Sequence, residues 1–579
     1  MPSSAGDDTD LSTVADEKTT DQNEKDTSQS RSDSPRPHRL QDVDLEAQGD
    51  DLGIKRLQSN KSEASQTHRS IIGRLSLRRT KTAEEHNSNK PPPPPPPVVI
   101  IPVSDLANGV VGWEGQDDPD MPLNFSARRK WLTVSALSCI TFMSPFASSI
   151  LAPAITSVAR EFGRLPDGDL TLASMPVSIF LLGWAVGPLL LSPLSETCGR
   201  NVVVVAASAW FCAWLVGCAL APSLGALVFF RFMCGIGGSA SQTVGGAVVA
   251  DMFPVARRGR AMTLWMLGPM FGPSCAPVIG GYVSQTIGWR WVHWITFAPA
   301  ALIVLAMALL NRETNHHVLI RRKTERLRRE LGRPELRSCY IDPAAAGPPP
   351  SAGRVLLDGL VRPVRMLFTS VIIFAASLYV AFALGCLYLL FNTIPIVFQG
   401  TYGWDIGTTG LVYLSLLVGY AIGLAAFSSL SDKTVVRMTA ANGGVYEPEM
   451  RLPDCIWFAL VLPVTFFWYG WSAAEGVHWI VPVVGIVPFG VGIIGVMLPT
   501  QAYIVDAYPQ YAASGLAAFS VMRCTVAAFL PLAGPSLYEA LGVGWGTSLL
   551  GFIAIALIPV PTVIYKYGKV LREKWPLRL

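Results

Sequence analysis

The residue pattern predicts an all-α polytopic membrane protein with twelve transmembrane helices in two six-helix halves. Half of the 579 residues are hydrophobic, only 15% are charged, and the mean hydropathy is +0.37. The charges are unevenly placed. Residues 1–130 hold 22 acidic and 17 basic side chains, whereas residues 131–579 hold 20 and 29, in short runs between apolar stretches. Those stretches run to about 20 residues, enough to cross roughly 30 Å of hydrocarbon, and a soluble core cannot absorb so many. Short sequences also recur six spans apart. Ser192-Pro-Leu-Ser-Glu196 after the second span matches Ser428-Ser-Leu-Ser-Asp432 after the eighth, and Asp251-Met-Phe-Pro254 after the fourth matches Asp506-Ala-Tyr-Pro509 after the tenth. Matched positions of this kind indicate a duplicated six-helix unit with a pathway along the interface of the halves.

Residues 1–130, rich in Ser, Asp, Glu, Lys and Thr, read as a disordered tail, with the seven prolines Pro91–Pro97 forming a stiff polyproline spacer. The twelve spans are expected at 131–155, 170–194, 201–221, 224–250, 260–284, 289–310, 366–395, 407–430, 454–473, 478–502, 512–537 and 545–565. They divide into a first half (131–310), a central loop (311–365), a second half (366–565) and a C-terminal tail (566–579). The loop opens on Arg321-Arg-Lys-Thr-Glu-Arg-Leu-Arg-Arg329, read as a surface helix, and its His316-His317 pair reads as solvated. With both termini and the central loop inside, 27 of 30 Lys and Arg in the connections fall on the cytoplasmic side. That imbalance follows the positive-inside rule.

Several function classes are excluded. The basic excess flanks apolar spans, so it is topological rather than a nucleic-acid footprint. The ten cysteines include no CxxC pair and mostly lie within apolar segments, so no disulfide framework or metal site is expected. No GxxxxGK[ST] phosphate loop, HExxH pair or nucleophile elbow occurs, which argues against an ATP-driven pump and against an enzyme. No cofactor is expected; the energy must come from a gradient.

Within the spans, a few residues stand out. Gly199 permits a tight reversal between spans 2 and 3, and Glu196 and Arg200, four apart at the rim, are placed to pair with each other or with a helix end. Asp251, Arg257, Arg258, Asp432, Lys433 and Asp506 complete the rim set expected to act in gating. Arg231 lies about two turns inside the fourth span, where a guanidinium either snorkels to the headgroups or faces a cavity. Arg523 is the comparable charge of the second half. The fifth span stacks Gly268-Pro269, Gly272-Pro273, Ala276-Pro277 and Gly280-Gly281 four apart, a spacing that sets small residues on one face and bends the helix. Gln242, Tyr379, Tyr388 and Asn392, with Ser148, Tyr413, Tyr420 and Gln501, are candidates to line a cavity, each equally able to serve packing. No Asp or Glu occupies mid-membrane, and the rim residue Asp251 is the first choice of proton carrier.

Over residues 112–575 these motifs resemble the major facilitator superfamily, in particular its twelve-span drug:proton antiporters of the fungal multidrug and polyamine-exporter type. The resemblance rests on Gly112-Trp-Glu-Gly115 with Asp118-Pro-Asp-Met-Pro-Leu-Asn124, Ser192–Arg200, Arg231-Phe-Met-Cys-Gly-Ile-Gly-Gly-Ser239 and Gly268–Gly281. The loop motif departs from the family pattern at Ser192, Thr197 and Asn201, where glycine and two basic residues are usual. The resemblance implies that the loop latches the cytoplasmic side shut in one state, that Arg231 serves the cavity, and that the fifth span marks an exporter. It implies a monomeric plasma-membrane carrier whose partners are a small molecule, protons and the lipid bilayer. The readings to separate are proton-coupled export of drugs, toxins or small amphipathic metabolites, proton-coupled import or facilitation of a small solute, and a non-transporting receptor.

A protease or tag probe should find residues 1–125 and 315–360 on the cytoplasmic side, and surface labelling of either in intact cells would overturn the twelve-span order.

Overall fold

The computed structural model of the chain describes residues 102–163, 170–340 and 352–575; the tail up to residue 101 and the Pro91–Pro97 spacer lie outside the described residues. Ten stretches among the described residues are long and apolar enough to cross a membrane. The last, Ala512–Lys574, holds two passages divided at Gly542, whose φ of 73° lies in the region that favours glycine. Val255–Thr286, diluted by three prolines and its rim arginines, supplies the twelfth.

The spans are therefore span 1 (Ala127–Ser149), span 2 (Leu170–Cys198), span 3 (Arg200–Ala219), span 4 (Leu224–Met252), span 5 (Val255–Thr286) and span 6 (Arg290–Leu310) in the first half. The second half holds span 7 (Val371–Tyr402), span 8 (Ile406–Ala441), span 9 (Pro448–Ala474), span 10 (Ile480–Ala507) and the two passages of Ala512–Lys574, spans 11 and 12. Spans 1 and 5, 2 and 4, and 3 and 6 pack as pairs, and so do spans 7 and 11, 8 and 10, and 9 and 12. The same pairing six spans on is the duplication inferred from the repeats. The halves meet where span 2 packs on span 11 and span 5 on span 8.

Three expected boundaries are corrected. Residues 102–130 are ordered rather than tail. Val110–Val111 (β1) pairs in parallel with Arg337–Ser338 (β2) of the central loop, and Trp113 and Met121 cluster with Ile320 of the loop helix His316–Leu331. The Trp113 indole donates to the Tyr340 hydroxyl at 3.0 Å. Those apolar side chains, set in an acidic run, find cover on the loop helix and on the Cys339-Tyr340 segment after it. Span 7 begins at Val371 rather than 366, because a separate linker helix, Ala352–Thr369, precedes it and the Ser370 hydroxyl caps the new start through the Ile373 N–H. The C-terminal tail is helical through Lys574, with Arg572 bound to Glu449.

Span 5 shows why the glycines and prolines of its motif coincide. A Cβ at Gly268 or Gly272 would lie 2.8 Å from backbone atoms of Phe142, and one at Gly280 would meet the Ile150 carbonyl, so this face lies directly on span 1. Gly281 faces Ile406 and Gly407 of span 8 instead, and the Gln285 side chain accepts the Gly407 N–H at 2.9 Å. Pro277 has no N–H for the Pro273 carbonyl one turn back. The Ser149 hydroxyl donates to that carbonyl at 2.8 Å, replacing the missing bond from the neighbouring span.

Ser149→Ala should leave the Pro273 carbonyl unpaired and cost about 1–2 kcal/mol, seen as a lower thermal midpoint in detergent. Gly272→Leu should force span 1 away and abolish folded protein.

Candidate functional site

At the end of the bundle that carries the loop helix, the chain reverses between spans 2 and 3 at Gly199, with φ 114°. A Cβ there would also collide with the Glu313 carboxylate, which occupies the N-terminus of span 3. Glu313 accepts the Arg200 N–H at 2.7 Å and the Asn201 N–H at 3.3 Å, and also the N–H groups of Thr314 and Asn315. A carboxylate here meets both free amide donors and the positive end of the helix dipole. Arg321 and Arg322 of the loop helix donate to the last carbonyls of span 2, those of Thr197 and Cys198, at 2.6 and 3.0 Å. One helix end is thus held by an anion and the other by cations.

The expected Glu196–Arg200 pair does not form. The left-handed turn at Gly199 ends one helix and starts another, so the four-residue spacing no longer sets the two on one face. Glu196 is exposed. Arg200 donates to the Ser195 hydroxyl at 2.7 Å, and its Nε lies 3.6 Å from Asp251, an ion pair without hydrogen-bond contact. His316 is not solvated: its Nε2 donates to the Asp251 carbonyl at 3.0 Å, and burial holds its pKa below the ordinary imidazole value. Arg258 donates to the Ala250 carbonyl at 3.1 Å, while the expectation for Arg257 lies outside the described side chains.

The second half repeats part of this arrangement. Asp506, at the end of span 10, accepts from Arg451 at 3.0 Å and from the Tyr446 hydroxyl at 2.6 Å. Asp251 and Asp506 thus pair with arginines at the starts of spans 3 and 9. Glu449, beside Arg451, is held by Arg572 at 2.7 and 2.9 Å. Asp432 and Lys433 are exposed and form no ion pair among the described residues.

The second locus is the seam between the halves. Arg231 is fully buried and does not snorkel. Its guanidinium donates to the carbonyls of Pro176 at 2.9 Å, Ala147 at 2.6 Å and Ser148 at 2.8 Å, and stands 4.8 Å from the Phe180 ring centroid. Ala147 and Ser148 close span 1, where carbonyls lack donors from a following turn. Arg231 therefore ties spans 1, 2 and 4 together rather than projecting into open space. The Ser148 hydroxyl shares a 2.8 Å hydrogen bond with the Tyr388 hydroxyl of span 7, across the seam. Tyr388 is in electrostatic range of both Arg231 and Arg523, and Arg523 stands 5.7 Å from the Phe519 ring.

Asn392 lies one turn from Tyr388 on span 7, and both its amide atoms lack hydrogen-bond partners among the described residues, as do the Arg523 Nε and, farther along span 4, the Gln242 Nε2. Tyr388 meets Phe391 edge to face at 5.3 Å, Phe391 meets Tyr413 at a tilt at 5.4 Å, and the Tyr413 hydroxyl donates to the Phe391 carbonyl. Tyr379 is set apart, in range of Cys455 on span 9, so it belongs to the interior of the second half. Sequence reasoning missed Glu313, Arg451, Glu449 and Arg572. The one available signal was a charge placed just past the end of an apolar helix, which is ordinary at a membrane boundary.

Comparison with known proteins adds independent findings. The family model described as Major Facilitator Superfamily matches residues 137–531. The chain is 45% identical over 462 residues to "MFS transporter cpaT" of Aspergillus oryzae, covering 80% of this chain and 91% of that protein. It is 39% identical to "Efflux pump radE" of Floropilus chiversii, covering 80% and 85%. Among solved structures, the partially occluded inward-open xylose transporter XylE from E. coli aligns with a TM-score of 0.57 at 14% identity, over 76% of this chain and 98% of that one. At that identity the likeness concerns the fold.

Glu313→Ala should uncap span 3 and destabilise the protein by about 1–2 kcal/mol, whereas Glu196→Gln should leave stability unchanged. Thermal midpoints of the two variants in detergent check the contrast.

Proposed function

The chain belongs to the Major Facilitator Superfamily, and from that premise we propose that it is a proton-coupled antiporter exporting drugs, toxins or small amphipathic metabolites by alternating access. It is a multi-pass membrane transporter and not an enzyme, as its family and curated relatives are. In the proposal it sits in the plasma membrane as a monomer with both termini cytoplasmic.

The observation that carries this reading is the polar chain across the seam, from Arg231 through Ser148 to Tyr388. This chain crosses the seam through one neutral hydrogen bond, and such a bond is worth only about 0.5–1.5 kcal/mol, so it yields when the halves rock apart. Breaking it frees two hydroxyls near Asn392 and a run of aromatic rings. Aromatic walls with few fixed charges suit bulky amphipathic compounds. The export direction is supported by the 39% identical relative, "Efflux pump radE", and by the glycine–proline face of span 5.

At the cytoplasmic rim, Asp251 is the carboxylate proposed to carry the proton. Protonation removes the charge that faces Arg200 and loosens the turn between spans 2 and 3. An equilibrium poised by a few kcal/mol responds to a change of that size. Asp506 with Arg451 is the corresponding rim pair of the second half.

Direction-resolved flux in sealed vesicles under an imposed pH gradient tests the proposal. Substrate should move against the proton flow; movement with it would establish import instead. Arg231→Ala, which strips the Ala147 and Ser148 carbonyls of their donor, should abolish the flux. Arg231→Lys should slow it about tenfold at near-normal expression, because a point charge cannot replace the planar fork and each charge-assisted bond is worth about 1.5 kcal/mol or more. A fully active lysine variant would remove Arg231 from the mechanism.

A further inference from the structure

The linker helix Ala352–Thr369 divides its surface three ways. Pro363, Met366 and Leu367 are buried, the last two in a cluster with Ile373 and Ala518 of spans 7 and 11. Leu357, Val361, Val364 and Phe368 form a second row, exposed by 39–73%. Asp358, Arg362 and Arg365 form a third, also exposed. At about 100° per residue the three rows fall in separate sectors of the helix. A surface helix of a soluble domain has two faces, one packed and one polar. This one has an additional apolar row left largely exposed, with the Phe368 ring 6.4 Å from that of Phe374 in span 7.

We propose that the linker helix lies in the membrane interface and binds anionic phospholipid of the cytoplasmic leaflet. In this arrangement the Leu357–Phe368 row lies among the upper acyl chains, and Arg362 and Arg365 hold headgroup phosphates. The assignment to a leaflet rests on the orientation proposed above. Two observations choose lipid as the occupant. The apolar row runs to Phe368, three residues before Val371, which is 59% exposed at the start of span 7, so the row continues the lipid-facing belt of the bundle. The Arg362 and Arg365 side chains form no ion pair or hydrogen bond among the described residues; Arg362 only stands 6.0 Å from the Tyr511 ring. Two unpaired cations beside an apolar row are the complement of an anionic membrane surface.

The position gives the binding a consequence. Gly359 lies against Pro193 at the end of span 2, while Met366 and Leu367 lie against span 11. Spans 2 and 11 belong to different halves and form the seam at this end. A lipid that fixes the linker helix therefore acts on both sides of the joint that must open.

The test is the full chain in phosphatidylcholine nanodiscs titrated with phosphatidylserine, with retained phosphatidylserine read by native mass spectrometry. This readout needs neither transport nor a known sidedness, so its failure is separate from failure of the export reading or of the orientation. Each basic residue at an anionic surface contributes about fivefold in affinity, so Arg362→Gln with Arg365→Gln should weaken binding by roughly twenty-fivefold. Arg362→Lys with Arg365→Lys should stay within about twofold of the wild type, because this term depends on charge rather than on the fork. Phe368→Ser should weaken retention while leaving the thermal midpoint unchanged. Unchanged retention in the double glutamine variant, or equal loss in the double lysine variant, overturns the proposal. So does a dimer that Phe368→Ser dissociates, which would give the row to a second copy.

Discussion

In hydrocarbon a backbone carbonyl without a donor has no water to turn to, and this constraint shapes the structure more than any single contact. The chain puts prolines inside spans and stops helices short of the surface, so it creates orphan carbonyls and must cover them. Ser149 covers the one that Pro277 leaves at Pro273. Arg231 covers two at the end of span 1 and adds a bond to the Pro176 carbonyl inside span 2. Arg321 and Arg322 cover the end of span 2. In each case the donor comes from a different element, so satisfying the backbone is also what assembles the bundle.

The two halves solve the rim problem with the same geometry but different charges. In both, a carboxylate at the end of span 4 or 10 faces an arginine at the start of span 3 or 9. In both, the chain following span 6 or 12 reaches back to that same turn. There the halves diverge. The first half sends an anion, Glu313, to free amides; the second sends a cation, Arg572, to Glu449. A duplicated fold requires the contact but leaves its polarity free, because a helix start accepts an anion directly or through a neighbouring residue.

The architecture was readable because spans of about 20 apolar residues and a strong bias of basic residues are imposed by the bilayer itself. Asp251 and Asp506 were legible as equivalents because the duplicated Asp-x-x-Pro sequence preserves their place. What was not legible depended on contacts between distant segments. Glu196 looked like the partner of Arg200 by spacing, but the turn at Gly199 removes that relation. Glu313 lies more than a hundred residues away and carries no local signature. The segment 102–126 read as acidic tail, since its few apolar side chains matter only once the loop helix is there to receive them. Arg231 was conspicuous from its depth alone, yet the identity of its partners, three carbonyls rather than a carboxylate, follows from where neighbouring helices end.

The parallel pairing of Val110–Val111 with Arg337–Ser338, and the Trp113–Tyr340 bond 227 positions apart in sequence, also bear on the order of biosynthesis. The first strand leaves the ribosome before any span has been made, and its partner emerges only after span 6. Between the two events the whole first half must insert, and the closing loop contains all six of its helices. Trp113 and Met121 thus wait without their cover throughout that interval. The clasp can close only after span 6 and before the second half is made, and its closure requires that the first half has been threaded in full.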